Sequence, residues 1–275
     1  MAVKRKVFSI LRGILCVSCV LIIAAPVIWM IRTSLIPTVE VYKIPPALFV
    51  KPTLNSYVAV FTRQNFMLRF FNSALISIST TVIALTVGSM AAYGISRFTF
   101  PFKAHLPLAF LFLRMLPGMS TLVPIYLLFT KLRMIDTYPG IIMLYTSGAI
   151  PMVVWMMWGF YQDMPRDVEE AAYVDGCGAF ATFLRIVIPM TTPALAALSI
   201  LAFTGAWNEF MMATILTRRV VMTLPPGIRF LMSQADLSWD LISAGGTLVS
   251  LPIFLFCLFA QRYFIDGLTL GAVKG

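Results

Sequence analysis

Long apolar runs, broken by short clusters of charge and proline, set the pattern of this chain. Six stretches are nearly free of charge: residues 13–31, 70–93, 105–130, 138–161, 190–216 and 243–263. Each approaches or exceeds the ~20 residues a helix needs to cross a hydrocarbon core. They predict an all-α, polytopic membrane protein of six transmembrane helices over residues 13–263, with residues 1–12 before it and a tail, 264–275, after it. An even number of crossings puts both termini on one side. Prolines punctuate the third run (Pro107, Pro117, Pro124) and the fourth (Pro151). Residues 32–69 carry Pro37, Pro45, Pro46 and Pro52 and read as a loop with one short helix at 54–61. Lys4, Arg5, Lys6 and Arg12 precede the first run, as in a signal peptide, but no small-x-small cleavage pattern follows, so it reads as a retained span.

The most charged internal stretch, residues 164–193, covers most of the loop 163–189 between the fourth and fifth runs and reaches into the start of the fifth. Asp163, Asp167, Glu169, Glu170 and Asp175 fall in or beside it. Asp163-Met164-Pro165 reads as a helix start, with a capping acid and a proline where no N–H is needed. The next acids sit in the first turns, where the helix dipole favours negative charge. Val168, Ala171, Ala172 and Asp175 share an i, i+3, i+4, i+7 stripe opposite an acidic face. Gly176 and Gly178 suit a left-handed helix end. A second helical run, 179–188, leads to Pro189. The stretch therefore predicts a short amphipathic helix on one membrane face, shaped to meet a soluble partner.

Composition narrows the class. The chain has 275 residues, 60% hydrophobic and 12% charged, with mean hydropathy +0.90, whereas soluble domains carry about 25% charge. The net charge of +10 sits in juxtamembrane segments, where topology and anionic lipid explain it without nucleic acid. Lys and Arg do not settle orientation by count. Ten lie on the side of the termini (Lys4, Arg5, Lys6, Arg12, Arg97, Lys103, Arg166, Arg185, Arg262, Lys274). Ten lie opposite (Arg32, Lys43, Lys51, Arg63, Arg69, Lys131, Arg133, Arg218, Arg219, Arg229). The four positives before the first span favour termini and acidic loop inside. Cys16, Cys19, Cys177 and Cys257 offer neither a disulfide framework nor a metal set, and His105 is the one histidine. No metal site and no catalytic residue is expected. An intramembrane enzyme would need paired acids, a Ser/Lys dyad or a metal cluster, and apart from Arg262 at the end of the sixth run only Arg114 and Glu209 are charged within the spans. No phosphate-binding G-x-x-x-x-G-K-[ST] loop occurs, so any ATP and Mg must bind a separate subunit.

Three polar or flexible features within the spans are candidates for a solute path. Pro117-Gly118 breaks the third span, as the flexible wall of a path or as a packing kink. Arg114, a charge in hydrocarbon, must face a cavity, the bundle interior or an acid, and Glu209 is a possible partner. Trp207-Asn208-Glu209 offers an aromatic face beside hydrogen-bonding groups, which suits a sugar and equally suits interhelical bonding.

The loop resembles the EAA loop of the membrane subunits of bacterial ABC importers. Glu170-Ala171-Ala172 is followed after three residues by Gly176, after nine more by Ile186, and then by Ile188-Pro189, with Ile188 in place of the family's leucine. Ala206 to Phe210, the Asn72-Ser73 start of the second span, and the ends Arg262-Tyr263-Phe264, Gly267-Leu268-Thr269 and Gly271 to Gly275 are similar to the carbohydrate permeases of the maltose G-subunit type. The resemblance implies a permease subunit without its own ATPase site, multi-pass in the cytoplasmic (inner) membrane, with both termini cytoplasmic. It implies a homologous second permease, two ATP-binding subunits and an extracytoplasmic solute-binding protein as partners, and alternating access as mechanism. A sugar or polyol is the implied solute; glycerol phosphate, a peptide or an amino acid is the alternative. Glu169, Glu170, Ala171, Ala172, Asp175, Gly176, Ile186 and Pro189 are the implied ATPase-coupling residues.

Overall fold

The computed structural model describes residues 2–45, 49–62, 65–229 and 238–272. Pro46, Arg63 and the end of the tail, Val273 to Gly275, lie outside the described residues. Among the described residues every regular element is helical. In chain order these are α1 (Ala2–Ser34), α2 (Thr38–Val41), α3 (Asn55–Thr62), α4 (Phe66–Arg97), α5 (Leu106–Met115), α6 (Gly118–Lys131) and α7 (Tyr138–Asp163). Then follow α8 (Asp167–Val174), α9 (Ala179–Thr182), α10 (Ile188–Met190), α11 (Thr192–Trp207), α12 (Met211–Leu216), α13 (Leu224–Arg229) and α14 (Trp239–Ala272). A π-helical segment, Phe183–Val187, joins α9 to α10.

Four helical segments are long and apolar enough to cross a membrane: Leu11–Ser34, Phe66–Arg97, Tyr138–Asp163 and Trp239–Leu258. The count reaches six if two bent pairs are each one span. The third expected span is one such pair, α5 and α6, which meet at 91°. Leu116, held extended by the following Pro117, makes the break. The fifth expected span, 190–216, divides differently. The run 179–190 meets α11 at 78° across Thr191, where Pro193 denies a backbone donor to the incoming helix. The same span breaks again at Asn208–Phe210 before α12. α14 runs on through most of the expected tail, since its glycines there cost only about 1 kcal/mol each and no proline stops it.

The chain divides into two units, residues 1–67 with 227–251 and residues 68–226 with 252–275. In the first, Asp240 at the start of α14 is buried, and its Oδ2 accepts bonds from Thr38 Oγ1 and Ser56 Oγ, each at 2.8 Å. That one carboxylate gathers the loop between the first two spans. None of the most apolar window of α1 is buried by the rest of the chain.

In the second unit, α4 and α7 run parallel. Tyr138 donates to Asn72 Oδ1 at 2.6 Å near the start of both helices. Ser89 and Tyr161 hydroxyls meet at 2.6 Å near their ends. Gly88 permits the close approach between them: a Cβ there would sit 2.7 Å from Val153 Cγ1. Ala84, Val153, Val154, Met157, Val187 and Leu198 are buried in the core of this unit.

Candidate functional site

The helix α8 is built differently from the expected cap and stripe. Asp163 is the last residue of α7 and not a cap, because Met164, before Pro165, is forced extended and closes α7. Arg166 occupies the N-cap position without a capping side chain. Asp167, Glu169 and Glu170 then fill the first turn, as the helix dipole favours. The buried face is Glu169 and Ala172, an i, i+3 pair; Val168, Ala171 and Asp175 are exposed. The acid turned inward because it has partners there.

Arg97, the last residue of α4, supplies the first. Its Nε donates to Glu169 Oε1 at 2.7 Å. Its Nη2 lies 2.6 Å from the same oxygen as a charge contact, not as an aligned hydrogen bond. Tyr93 OH donates to Glu169 Oε2 at 2.9 Å. The Arg97 and Glu169 side chains are 9% and 4% exposed. A buried charge is tolerated only when paired and hydrogen-bonded, and both carboxylate oxygens are. The Tyr93 ring also packs on Phe183 of the π-helical segment at 4.9 Å and edge-on against Tyr161 at 5.7 Å. The end of α4 thus grips α7, α8 and the run after α8. Sequence reasoning missed Arg97 and Tyr93, since a basic residue and a tyrosine at the end of an apolar helix look like ordinary interfacial anchors.

The far end of α8 follows expectation at one glycine. Gly176 has φ +84°. Its N–H donates to Tyr173 O at 3.1 Å and that of Cys177 to Ala172 O at 2.9 Å, the bonding of a Schellman motif. Gly178 does not share this role: it is extended and opens α9. Glu170, Ala171, Asp175 and Gly176 form an exposed surface, with Ile186 half-buried and Pro189 exposed in the following run.

A second region lies within the spans. Arg114, Gly118, Thr121, Ser147 and Glu209 are among the residues lining a cavity of about 480 Å³. Arg114 and Glu209 thus face the same space, yet no ion pair joins them among the described residues. Glu209 Oε1 instead accepts the Met212 N–H at 2.9 Å, at the start of α12. Trp207 is 2% exposed. It stacks on Phe203 at 5.5 Å and meets Phe70 edge-on at 5.7 Å, so its ring is part of the packing and is not among the residues lining this cavity. Asn208, the C-cap of α11, is exposed outside the cavity lining. Pro117 is the extended residue at the α5–α6 break.

A third arrangement stands at the end of the unit opposite α8. Asp136, with φ +57°, accepts backbone N–H bonds from Arg218, Arg219, Val220 and Val221 at 2.9–3.2 Å. Burial pushes its carboxyl pKa up, but the donors at Arg218, Val220, Arg219 and Val221 outweigh this and hold it below the ordinary 3.8. Asn72 Nδ2 donates to Val220 O and Met222 O at 2.9 and 3.0 Å, and Leu224 N–H donates to Ser73 Oγ at 2.7 Å. The Asn72-Ser73 pair therefore fastens the 218–224 segment to the start of α4.

Comparison with known proteins places these features in a family. Residues 84–269 match the model of the binding-protein-dependent transport system inner membrane component. The trehalose transport system permease SugB of Mycobacterium tuberculosis is 35% identical over 255 residues, covering 91% of this chain and 92% of that protein. The trehalose/maltose permease MalG of Thermococcus litoralis is 31% identical, covering 91% of each. In structure, the chain is similar to a bacterial ABC transporter importing the acidic polysaccharide alginate, with TM-score 0.81, 19% identity and coverage of 95% of this chain and 98% of that one. This chain is an inner-membrane permease component: it belongs to the binding-protein-dependent transport system inner membrane component family.

Proposed function

We propose that this chain is the permease subunit of an ATP-driven carbohydrate importer, coupled to separate ATPase subunits through α8. The observation that carries the reading is the division of labour between adjacent acids. Glu169 is locked to Arg97 at the end of a span, while Glu170 is left on the exposed face. A partner holding Glu170, Ala171 and the Gly176 turn thereby holds the end of α4. A push on α8 shifts the inward/outward equilibrium because the ATPase contact differs between the two states. ATP and Mg belong to the partner subunits, since this chain has no phosphate-binding loop. The named relatives are permeases for trehalose and maltose, which supports a sugar or polyol as solute. Arg114 and Glu209 border the proposed path, Pro117 precedes its lining residue Gly118, and Trp207 and Asn208 precede Glu209 in the chain.

Uptake and ATP hydrolysis, measured side by side in vesicles holding the whole complex, test this. Glu170→Lys and Gly176→Pro are expected to remain in the membrane and to lose uptake while ATP hydrolysis persists. Normal uptake by both, at normal membrane content, overturns the assignment.

A further inference from the structure

The segment joining α4 to α5 stands at the same end of the second unit as α8, because Arg97, the last residue of α4, holds Glu169. Phe98, Phe100 and Phe102 in this segment are exposed, and Phe102 takes a left-handed backbone at φ +63°, unusual for a bulky residue. A single 3-10 turn, Lys103–His105, follows. Phe100, Phe102, Lys103 and His105 line a cavity of about 500 Å³, together with Trp158 and Gln162 from the last turns of α7. That volume falls in the range of about 300–1,000 Å³ typical of small-molecule pockets. Among the described residues the lining holds no acid. Lys103 Nζ donates to Ser96 O at 3.2 Å, which fixes the side chain and uses one of the three ammonium donors. Among the described residues no ion pair engages Lys103.

Aromatic rings beside a cation suit the headgroup level of a membrane. Ordinary interfacial anchoring explains the rings and the lysine singly, but not a concave site with an ammonium fixed at its wall. With α8 on the cytoplasmic face, the cavity lies at the cytoplasmic leaflet, which is anionic and whose headgroups fill basic pockets between helices. We infer that this cavity is a binding site for an anionic phospholipid, with the phosphate on Lys103 and His105 and the glycerol and first chain carbons against Phe100, Phe102 and Trp158. This rests on the importer reading above, which supplies the orientation. The site also touches the coupling residues. Ser96, whose carbonyl holds Lys103, accepts Arg97 Nη1 on its Oγ at 3.0 Å, and Arg97 Nε donates to Glu169. A bound lipid therefore steadies the end of α4 that grips α8, and ATP-driven uptake depends on anionic lipid.

The test uses the complete transporter purified in detergent, with phosphatidylglycerol or phosphatidylcholine titrated in and retained lipid counted by native mass spectrometry. The wild type is expected to retain phosphatidylglycerol in preference to phosphatidylcholine. Lys103→Gln should weaken that retention about fivefold, the effect of one cation at an anionic lipid surface, and Lys103→Gln/His105→Gln should weaken it further. Lys103→Arg should keep it, as should Lys131→Gln, which removes a cation at the other end of the unit. In proteoliposomes, uptake per ATP hydrolysed should rise with phosphatidylglycerol content in the wild type and respond less in Lys103→Gln. Equal retention by wild type and Lys103→Gln overturns the proposal, and so does an equal loss in Lys131→Gln. Displacement of the lipid by inorganic phosphate would mark a free-anion site and overturns it too. Wild-type uptake that ignores phosphatidylglycerol overturns the link to coupling. Phosphatidylglycerol held through Lys103 in a complex with no ATP-driven uptake removes the importer reading and leaves the site standing, a distinct result.

Discussion

Glu169 and Glu170 are consecutive, yet one is 3% exposed and bonded to Arg97 and Tyr93 while the other faces outward. A helix turns 100° per residue, so neighbours need not share a face. The contrast separates an internal fastening from an external contact, and substitutions at the two positions should differ in kind.

Glu169→Ala leaves the Arg97 guanidinium buried without its anion. Breaking a buried pair in this way costs about 3–5 kcal/mol. The expected result is a lower melting temperature in detergent and less protein in the membrane. Glu170→Ala should change neither by more than about 0.5 kcal/mol, the range of ordinary surface changes. Thermal unfolding of the two purified variants checks this.

The two glycines after α8 give a second contrast. Gly176→Ala places an L-residue at φ +84°, which costs about 1–2 kcal/mol although nothing lies within 4 Å of the new Cβ. Gly178→Ala meets no such strain at φ −75° and open space. Protease sensitivity of the 175–179 segment should rise for Gly176→Ala alone.

Helix approach in the second unit depends on Gly88. Gly88→Ala drives a methyl into Val153 and is expected to cost about 1–3 kcal/mol. Val153→Ala in the same chain should recover part of the loss. Gly94→Ala, on the same helix with nothing within 4 Å, is expected to be neutral. Melting temperatures of the single and double variants decide the matter.

Asp136 makes stability depend on acid. Its carboxyl titrates below the ordinary 3.8 in the folded chain. A depressed folded pKa contributes stability that is fully present above the unfolded value and disappears as pH falls through the folded one. Wild type should therefore lose this contribution below pH 3.8, whereas Asp136→Asn should lack it at neutral pH and show a flatter acid limb. Unfolding followed from pH 7 to pH 2 provides the comparison.

The helical class, the approximate spans and the acidic helix were legible because apolar length and glycine position report on one residue's own environment. Gly176 illustrates this: its left-handed turn is a local demand. What the sequence could not display were pairings across distance. Glu169 and Arg97 lie 72 positions apart, and Asp136 and Arg218 lie 82 apart. For the same reason Glu169 was expected on the outer acidic face, and Asp163 as a cap instead of the end of α7. Trp207 carried an aromatic signal that suits a ligand and a core alike, and its contacts with Phe70 and Phe203 are packing contacts that no local pattern displays.

Labelling of one introduced thiol tests the coupling account most directly. Glu170→Cys, in an otherwise cysteine-free chain within the whole transporter, is treated with a membrane-impermeant maleimide. The account predicts no labelling in intact cells and ready labelling in inside-out vesicles, reduced when the ATPase subunits are bound. Labelling from outside intact cells would contradict it.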